Sequence, residues 1–276
     1  MVRRRSFLVE VFAGLNLAFL AVDIWVAHSV NEFGHWAEWI PFWFTLVGAL
    51  ALLANLVVSA PLRSGVRGFK EGAGLWVGVA VGALSILVGV AGLLFHLESD
   101  FFQVRTLRSL VYSAPFVAPL AFAGIGLLVL LNRTVPGGTR EWGRWVLLLA
   151  WGGFVGNFVL SLVDHAQNGF FFATEWVPVI VAGVVVGWLI LPVFWRVPAA
   201  YLRGAGVLLL VAGLVGVAGF VLHMAPVLTE SEGTLWGRLV YGAPPFAPLL
   251  FTDLAVLAGL AVWDLSAKGW VSDPAR

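Results

Sequence analysis

The sequence contains no cysteine, and only 11% of its 276 residues are charged. Without cysteine the chain can form no disulfide, thiolate metal site, iron–sulfur cluster or cysteine nucleophile. Soluble domains carry about 25% charged residues, so this chain has few groups with which to face water. The net charge is only +1, so the sequence has no excess of basic residues that would indicate a nucleic-acid partner.

Apolar residues are abundant instead, at 61% of the chain, and the mean hydropathy is +0.96. Apolar stretches of about 20 residues, the length that crosses about 30 Å of hydrocarbon, recur along the whole sequence. Backbone groups in lipid must be bonded within their own segment, which predicts α-helices embedded in a lipid bilayer. The predicted spans are 7–28, 38–60, 74–96, 110–131, 144–165, 175–195, 204–224 and 239–263.

The basic residues divide unequally between the two sides of these spans. If the N-terminus is inside, thirteen of the 16 Lys and Arg residues lie in cytoplasmic segments. This bias predicts a multi-pass protein of the plasma (inner) membrane with both termini in the cytoplasm. The thirteen are Arg3, Arg4, Arg5, Arg63, Arg67, Lys70, Arg133, Arg140, Arg144, Arg196, Arg203, Lys268 and Arg276, and the other three are Arg105, Arg108 and Arg238.

The two halves of the chain resemble each other. Segment 88–96 matches 215–223, and segment 110–119 matches 239–248, with the same spacing. Upstream, His28, Asn31, Phe33, Glu38, Trp39 and Pro41 recur as His165, Asn168, Phe170, Glu175, Trp176 and Pro178. We therefore predict an all-α, eight-helix bundle of two four-helix repeats, residues 1–135 and 136–276. Each repeat has an even number of crossings, which places a pseudo-twofold axis along the membrane normal.

The polar residues that both halves share fall at one predicted level, the extracytoplasmic ends of the spans. Two imidazoles and a carboxylate suit a transition metal such as non-haem iron, copper, zinc or manganese. Each half could hold its own ion, or the halves could pool their ligands around a dinuclear centre. The predicted metal ligands are His28, Glu38, His96, His165, Glu175 and His223, and the predicted catalytic residues that orient them are Tyr112 and Tyr241. The fifth histidine, His35, aligns with Phe172 and is not in the set.

Two other interpretations of these residues stay open. Haem b could use the paired histidines as axial ligands, with room for its macrocycle beside small residues. Alternatively the histidines are interfacial, the glutamates balance helix N-termini, and the glycines serve close helix packing. The glycines concerned are Gly89, Gly92, Gly216 and Gly219.

The function predicted first is a metal-dependent membrane oxidoreductase that uses a membrane-soluble donor such as a quinol. The alternatives are a transporter or channel and a non-catalytic subunit that binds a membrane partner protein or pigment. Asp253, opposite Gly124 in the repeat, would lie on a transport path, because an intramembrane carboxylate is a functional candidate. A neutral Asp253 bonded to Asn or Ser of another helix is the structural alternative. Two proline pairs, Pro115 with Pro119 and Pro244 with Pro248, predict kinks in the fourth and eighth spans.

Overall fold

The computed structural model describes residues 2–59, 72–99, 101–137 and 139–267. The described residues are all-helical, with 84% of them in helix. Within the described residues, seven helices are long and apolar enough to cross a membrane, which is consistent with an all-α membrane protein. Several predicted cytoplasmic charges, Arg63, Arg67, Lys70, Lys268 and Arg276, lie outside the described residues.

The long helices follow the predicted spans, and short helices lie between some of them. The seven spanning helices are α1 (Val2–His28), α2 (Trp39–Ser59), α3 (Gly72–Ser99), α7 (Arg140–Gln167), α8 (Trp176–Phe194), α9 (Ala199–Thr229) and α11 (Leu249–Ala267). A shorter apolar helix, α6, covers Leu120–Thr134. The remaining helices are α4 (Phe101–Val104), α5 (Leu107–Val111) and α10 (Leu235–Tyr241).

The predicted spans 110–131 and 239–263 are not continuous kinked helices, and this corrects the prediction. The chain is non-helical over 112–119 and 242–248, and α6 and α11 begin only after the second proline of each pair. Two prolines four residues apart remove backbone donors and clash with the preceding turn, which kinks or breaks a helix, and here the helix is broken. Directly before the first helical residue a missing N–H costs nothing, which is where Pro119 and Pro248 lie.

The packing forms two groups of four helices. In the first, α1 contacts α2 and α6, and α3 contacts the same two helices. In the second, α7 contacts α8 and α11, and α9 likewise contacts both. Each group has its own buried apolar core, but Val9, Leu128 and Leu131 of the first group belong to the core of the second.

The two groups meet along two lines, which we call the α6–α7 seam and the α1–α11 seam. The α6–α7 seam is the more extensive contact. The end of the bundle that carries His28, His96, His165 and His223 is the histidine end, and the opposite end, with Arg5 and Arg133, is the arginine end.

Candidate metal centre

A His–Glu pair forms where α1 ends and α2 begins. α1 ends at His28, and a 3-10 turn over Trp36–Glu38 leads into α2. The Asn31 side chain donates to Glu38 Oε1 at 2.7 Å. The other carboxylate oxygen, Oε2, lies 3.8 Å from His28 Nδ1. It is buried and has no hydrogen-bond partner.

The second half forms the same pair between α7 and α8. Asn168 donates to Glu175 Oε1 at 3.2 Å, and Glu175 Oε2 lies 3.8 Å from His165 Nδ1. This oxygen too is buried without a hydrogen-bond partner. Both pairs thus leave one carboxylate oxygen unsatisfied and facing an imidazole.

A strained residue fixes each connecting turn. Phe33 and Phe170 adopt φ of 53° and 54°, in the left-handed region that side chains other than glycine rarely occupy. Each ring stacks on the tryptophan that begins the next helix, with centroids 4.4 Å apart at Trp39 and 3.9 Å at Trp176. The N–H of each phenylalanine donates to the carbonyl of the preceding histidine. These contacts offset a strain of about 1–3 kcal/mol and hold histidine and glutamate at a set distance.

The third histidine of each half is anchored by a proline carbonyl. His96 Nδ1 donates to the Pro115 carbonyl at 3.0 Å, and His223 Nδ1 donates to Pro244 at 2.8 Å. Because the residue four positions later is also proline, no N–H exists to form the α-helical bond to that carbonyl. A carbonyl can only accept, so Nδ1 carries the hydrogen and the lone pair is on Nε2.

The glycines before these histidines allow close packing and do not leave room for a macrocycle. A Cβ on Gly92 would lie 2.8 Å from Pro119 Cβ, and one on Gly219 would lie 2.7 Å from Pro248 Cβ. The start of α6 or α11 therefore fills the space that the haem interpretation needed. The effect of the glycines is to bring α3 and α9 near enough for His96 and His223 to reach their carbonyls.

The structure brings together two of the three predicted ligands in each half. The rings of His28 and His96 meet edge to face, with centroids 6.2 Å apart. In the part of the chain that the structure describes, no group of three or more His, Asp or Glu side chains is close enough to hold a metal ion. His96 and His223 lie beside the His–Glu pairs, but neither is close enough to be a third ligand of the same ion.

The predicted orienting tyrosines lie on the surface. Tyr112 is 56% exposed and Tyr241 is 71% exposed. The Tyr112 hydroxyl donates to the Gln167 carbonyl of the other half at 3.5 Å. Among the described residues neither hydroxyl bonds a histidine or glutamate of the pairs, so their catalytic role stays a prediction. His35 accepts from the Ala37 N–H as a helix cap.

Sequence reasoning missed a buried charged network at the arginine end. Glu10 is fully buried and accepts from Arg133 at 2.7 Å and from Asn132 at 2.9 Å. Arg5 of α1 pairs with Asp264 of α11, and both are buried. The partners are more than 100 positions apart in the chain, so no local spacing could have revealed them.

Asp253 has the neutral partner that the structural alternative proposed. The Asn16 side chain donates to Asp253 Oδ1 at 2.9 Å across the α1–α11 seam. The same amide donates to the Phe12 carbonyl at 3.0 Å.

Comparison with known proteins finds no matching family model, no similar curated protein and no similar solved structure. The function must therefore be argued from the chain itself.

Proposed function

We propose that this is a multi-pass membrane protein that holds a transition-metal ion against each His–Glu pair. The observation that carries the proposal is the buried, unpartnered Oε2 of Glu38 and Glu175 beside an imidazole. A buried carboxylate oxygen without a donor is costly, by about 1–3 kcal/mol or more for a charged group. A bound cation would remove that cost in both halves.

The donor set fits such an ion. Nitrogen and oxygen ligands that lie about 2.0–2.2 Å from a metal are separated by roughly 3–4 Å, and the His28–Glu38 and His165–Glu175 distances are both 3.8 Å. Metal-bound histidines usually donate their other ring N–H to a carbonyl or carboxylate. His96 has that bond to Pro115, so a rotation of its ring toward Glu38 would supply a third ligand.

The matched contacts also support the finer fold proposal of two four-helix repeats, residues 1–135 and 136–276. In this arrangement α6 with segment 112–119 completes the fourth crossing, and α11 with segment 242–248 completes the eighth. The histidine end would then face the extracytoplasmic side, with both termini in the cytoplasm of a plasma-membrane protein.

The metal would be non-haem iron, copper or zinc, and iron or copper would supply one-electron transfer at the centre. Oxidation of a quinol belongs to this proposal only with a redox-active ion, because zinc has no redox chemistry. Haem b is the alternative cofactor. It would give the paired glutamates no ligand role, and it would need space other than that beside Gly92 and Gly219, which the start of α6 or α11 fills. A membrane partner protein could accept the electrons.

A transporter is the second candidate, and the interrupted helices favour it. Substrate and ion sites in many transporters are formed by discontinuous membrane helices near the bilayer midplane. Segments 112–119 and 242–248 interrupt two predicted spans at corresponding positions.

Elemental analysis and an absorption spectrum of the purified protein test the proposal. We expect one ion for each half in the wild type, loss of one ion in Glu38→Gln or Glu175→Gln, and loss of both in the double variant. Gln keeps the shape of Glu but removes the charge, and even indirect changes at metal sites typically cost about 10–100-fold in affinity. His35→Phe is the matched control and should keep both ions.

Two results would contradict the metal proposal. One is wild-type protein that binds no iron, copper, zinc or manganese when each is supplied. The other is full metal content in the double variant. A Soret band with iron would favour haem b instead.

A further inference from the structure

Polar residues line one face of α1 along the α1–α11 seam. Arg5, Asn16 and Asp23 are separated by 11 and 7 residues, close to three and two whole helical turns, so they share a face. Arg5 contacts Asp264 and Asn16 contacts Asp253, both on α11. This face therefore lies against the seam, and Asp23 continues it toward the histidine end.

The α6–α7 seam lacks this polar line. The offset that relates His28 to His165 places Gly153 opposite Asn16, and Gly124 corresponds to Asp253. In the α1–α11 seam, Phe19 packs on Phe246 with ring centroids 5.3 Å apart. The residues at the corresponding positions of the α6–α7 seam are Gly156 and Val117. The Asn–Asp pair is thus a property of one seam only.

Asp253 differs from the two buried acids of the arginine end. Asp264 and Glu10 each pair with an arginine. Within the described residues, no basic side chain lies within ion-pair distance of Asp253. Its partner Asn16 is a neutral amide, which can donate equally to a carboxylate or to the carbonyl of a protonated carboxyl. The carboxyl group can therefore bind and release a proton without losing its hydrogen bond.

Asp23 lies between this carboxyl and the histidine end. Phe19 precedes His28 by nine residues, so the contact with Phe246 lies about 13 Å below the histidine level. Segment 242–248 runs from the histidine level, where the Pro244 carbonyl accepts from His223, down to this contact. Gly242, Ala243 and Pro244 are its exposed residues. The exposed part of the segment is therefore at the histidine level, and Asp23 is the carboxyl of α1 between that level and Asn16.

We propose that Asp253 and Asn16 form a proton-binding site within the membrane that exchanges protons with the histidine end through Asp23. Asp253 takes a proton from water at the histidine end through Asp23 and returns it by the same route, with no electron transfer. Helices α7 and α9 also pack against α11. Toward the histidine end, α7 carries Asp164, and α9 has no ionisable residue between Arg203 and His223. The Arg5–Asp264 pair closes the route at the arginine end. This site does not depend on a metal.

Labelling with dicyclohexylcarbodiimide tests the site on the full chain. This apolar reagent adds to a protonated carboxyl in the membrane to give a stable N-acylurea, and mass spectrometry identifies the modified residue. Sealed vesicles with the histidine end outside allow the external pH to be varied while the internal pH is fixed. Metal-stripped protein is used, so that failure of the metal proposal leaves this test unaffected.

We expect Asp253 to be labelled and its labelling to fall as the pH on the histidine side rises. Asp264 and Glu10, held by arginines, are internal controls and should stay unlabelled. Asp23→Asn should abolish the dependence of Asp253 labelling on the pH of the histidine side, because it removes the group through which the proton exchanges. Asp23→Glu should restore it, which separates proton transfer from a folding defect.

Equal labelling of Asp253 and Asp264 would overturn the proposal. Labelling of Asp253 that does not depend on the pH of the histidine side, or that depends on the pH of the arginine side, would also overturn the proposal. An Asp23→Asn variant whose Asp253 labelling still follows the pH on the histidine side would remove Asp23 from the route and overturn the exchange path.

Discussion

The two ends of the bundle handle buried carboxylates in opposite ways. At the histidine end, Glu38 and Glu175 each have an asparagine on one oxygen and no partner on the other. At the arginine end, Glu10 and Asp264 are neutralised by arginines. A carboxylate paired with an arginine has little capacity left for a cation, whereas a carboxylate oxygen without a hydrogen-bond partner has. The comparison supports our proposal that the histidine end binds a ligand, while the ion pairs of the arginine end join helices.

The ends also differ in how the chain builds them. Each His–Glu pair arises within one short connection, His28 to Glu38 or His165 to Glu175, so the same local spacing builds both. The ion pairs join α1 to α6 and α1 to α11, and among the described residues the second group of four helices has no equivalent of them. The Glu10–Arg133 pair therefore holds the first group together, whereas the Arg5–Asp264 pair joins the two groups.

The prediction with the largest effect is which side of the membrane each end of the bundle faces. Reporter fusions after Arg67, Thr139 and Arg276 should read cytoplasmic, and fusions near Gly34, Asp100, Gly169 and Glu232 should read external, because basic loops stay inside. A cytoplasmic signal near Gly34 would place the histidine end on the cytoplasmic side and reverse the assignment.

Breaking an arginine-end pair should have the largest effect on stability. Glu10→Ala leaves the Arg133 guanidinium buried without its carboxylate, so we expect a loss of about 3–5 kcal/mol in the free energy of unfolding. Unfolding in mixed detergent micelles measures it. Glu10→Met with Arg133→Met removes both charges and should recover much of the loss. If Glu38→Ala destabilises the metal-free protein as strongly as Glu10→Ala, the contrast between the ends fails.

Crowding the α9–α11 contact should have an intermediate effect. A Cβ on Gly219 would meet Pro248 at 2.7 Å, so Gly219→Ala should cost about 1–3 kcal/mol by overpacking. Gly206, in the same helix, has no heavy atom within 4 Å of its Cβ position. Gly206→Ala should therefore be neutral or stabilise by up to about 1 kcal/mol. Equal effects in thermal unfolding of both variants would show that α9 and α11 are not packed this closely.

The smallest effect is expected for the asparagines of the histidine end. Asn31→Ala removes one exposed hydrogen bond, to Glu38, at a cost of about 0.5–1.5 kcal/mol. Asn168→Ala removes the matching bond to Glu175 and a second bond that Asn168 Oδ1 accepts from the Phe170 N–H. We therefore expect chemical unfolding to show the larger loss for Asn168→Ala, by about 0.5–1.5 kcal/mol. A larger loss for Asn31→Ala would contradict this description of the two turns.

The sequence predicted what local spacing controls. Helix length follows from apolar runs, and the His28–Glu38 contact follows from a turn of fixed length. The sequence could not predict that Pro115 and Pro119 interrupt a helix. Whether such a helix kinks or breaks depends on whether another group, here the His96 imidazole, bonds the Pro115 carbonyl. The position of His96 relative to Glu38 depends in turn on how closely α3 and α6 pack.

The sharing of Val9, Leu128 and Leu131 with the second core bears on how the protein is made. The first four helices are synthesised before α7, so these three side chains contact lipid or the insertion machinery until the second core forms. Arg133 enters the membrane at the end of α6, and its charge is tolerable there only because Glu10 has already been inserted. The first half therefore reaches the bilayer with the Glu10–Arg133 pair formed but without the partner of Arg5. The arrival of α7 to α11 supplies Asp264 and covers the remaining apolar surface.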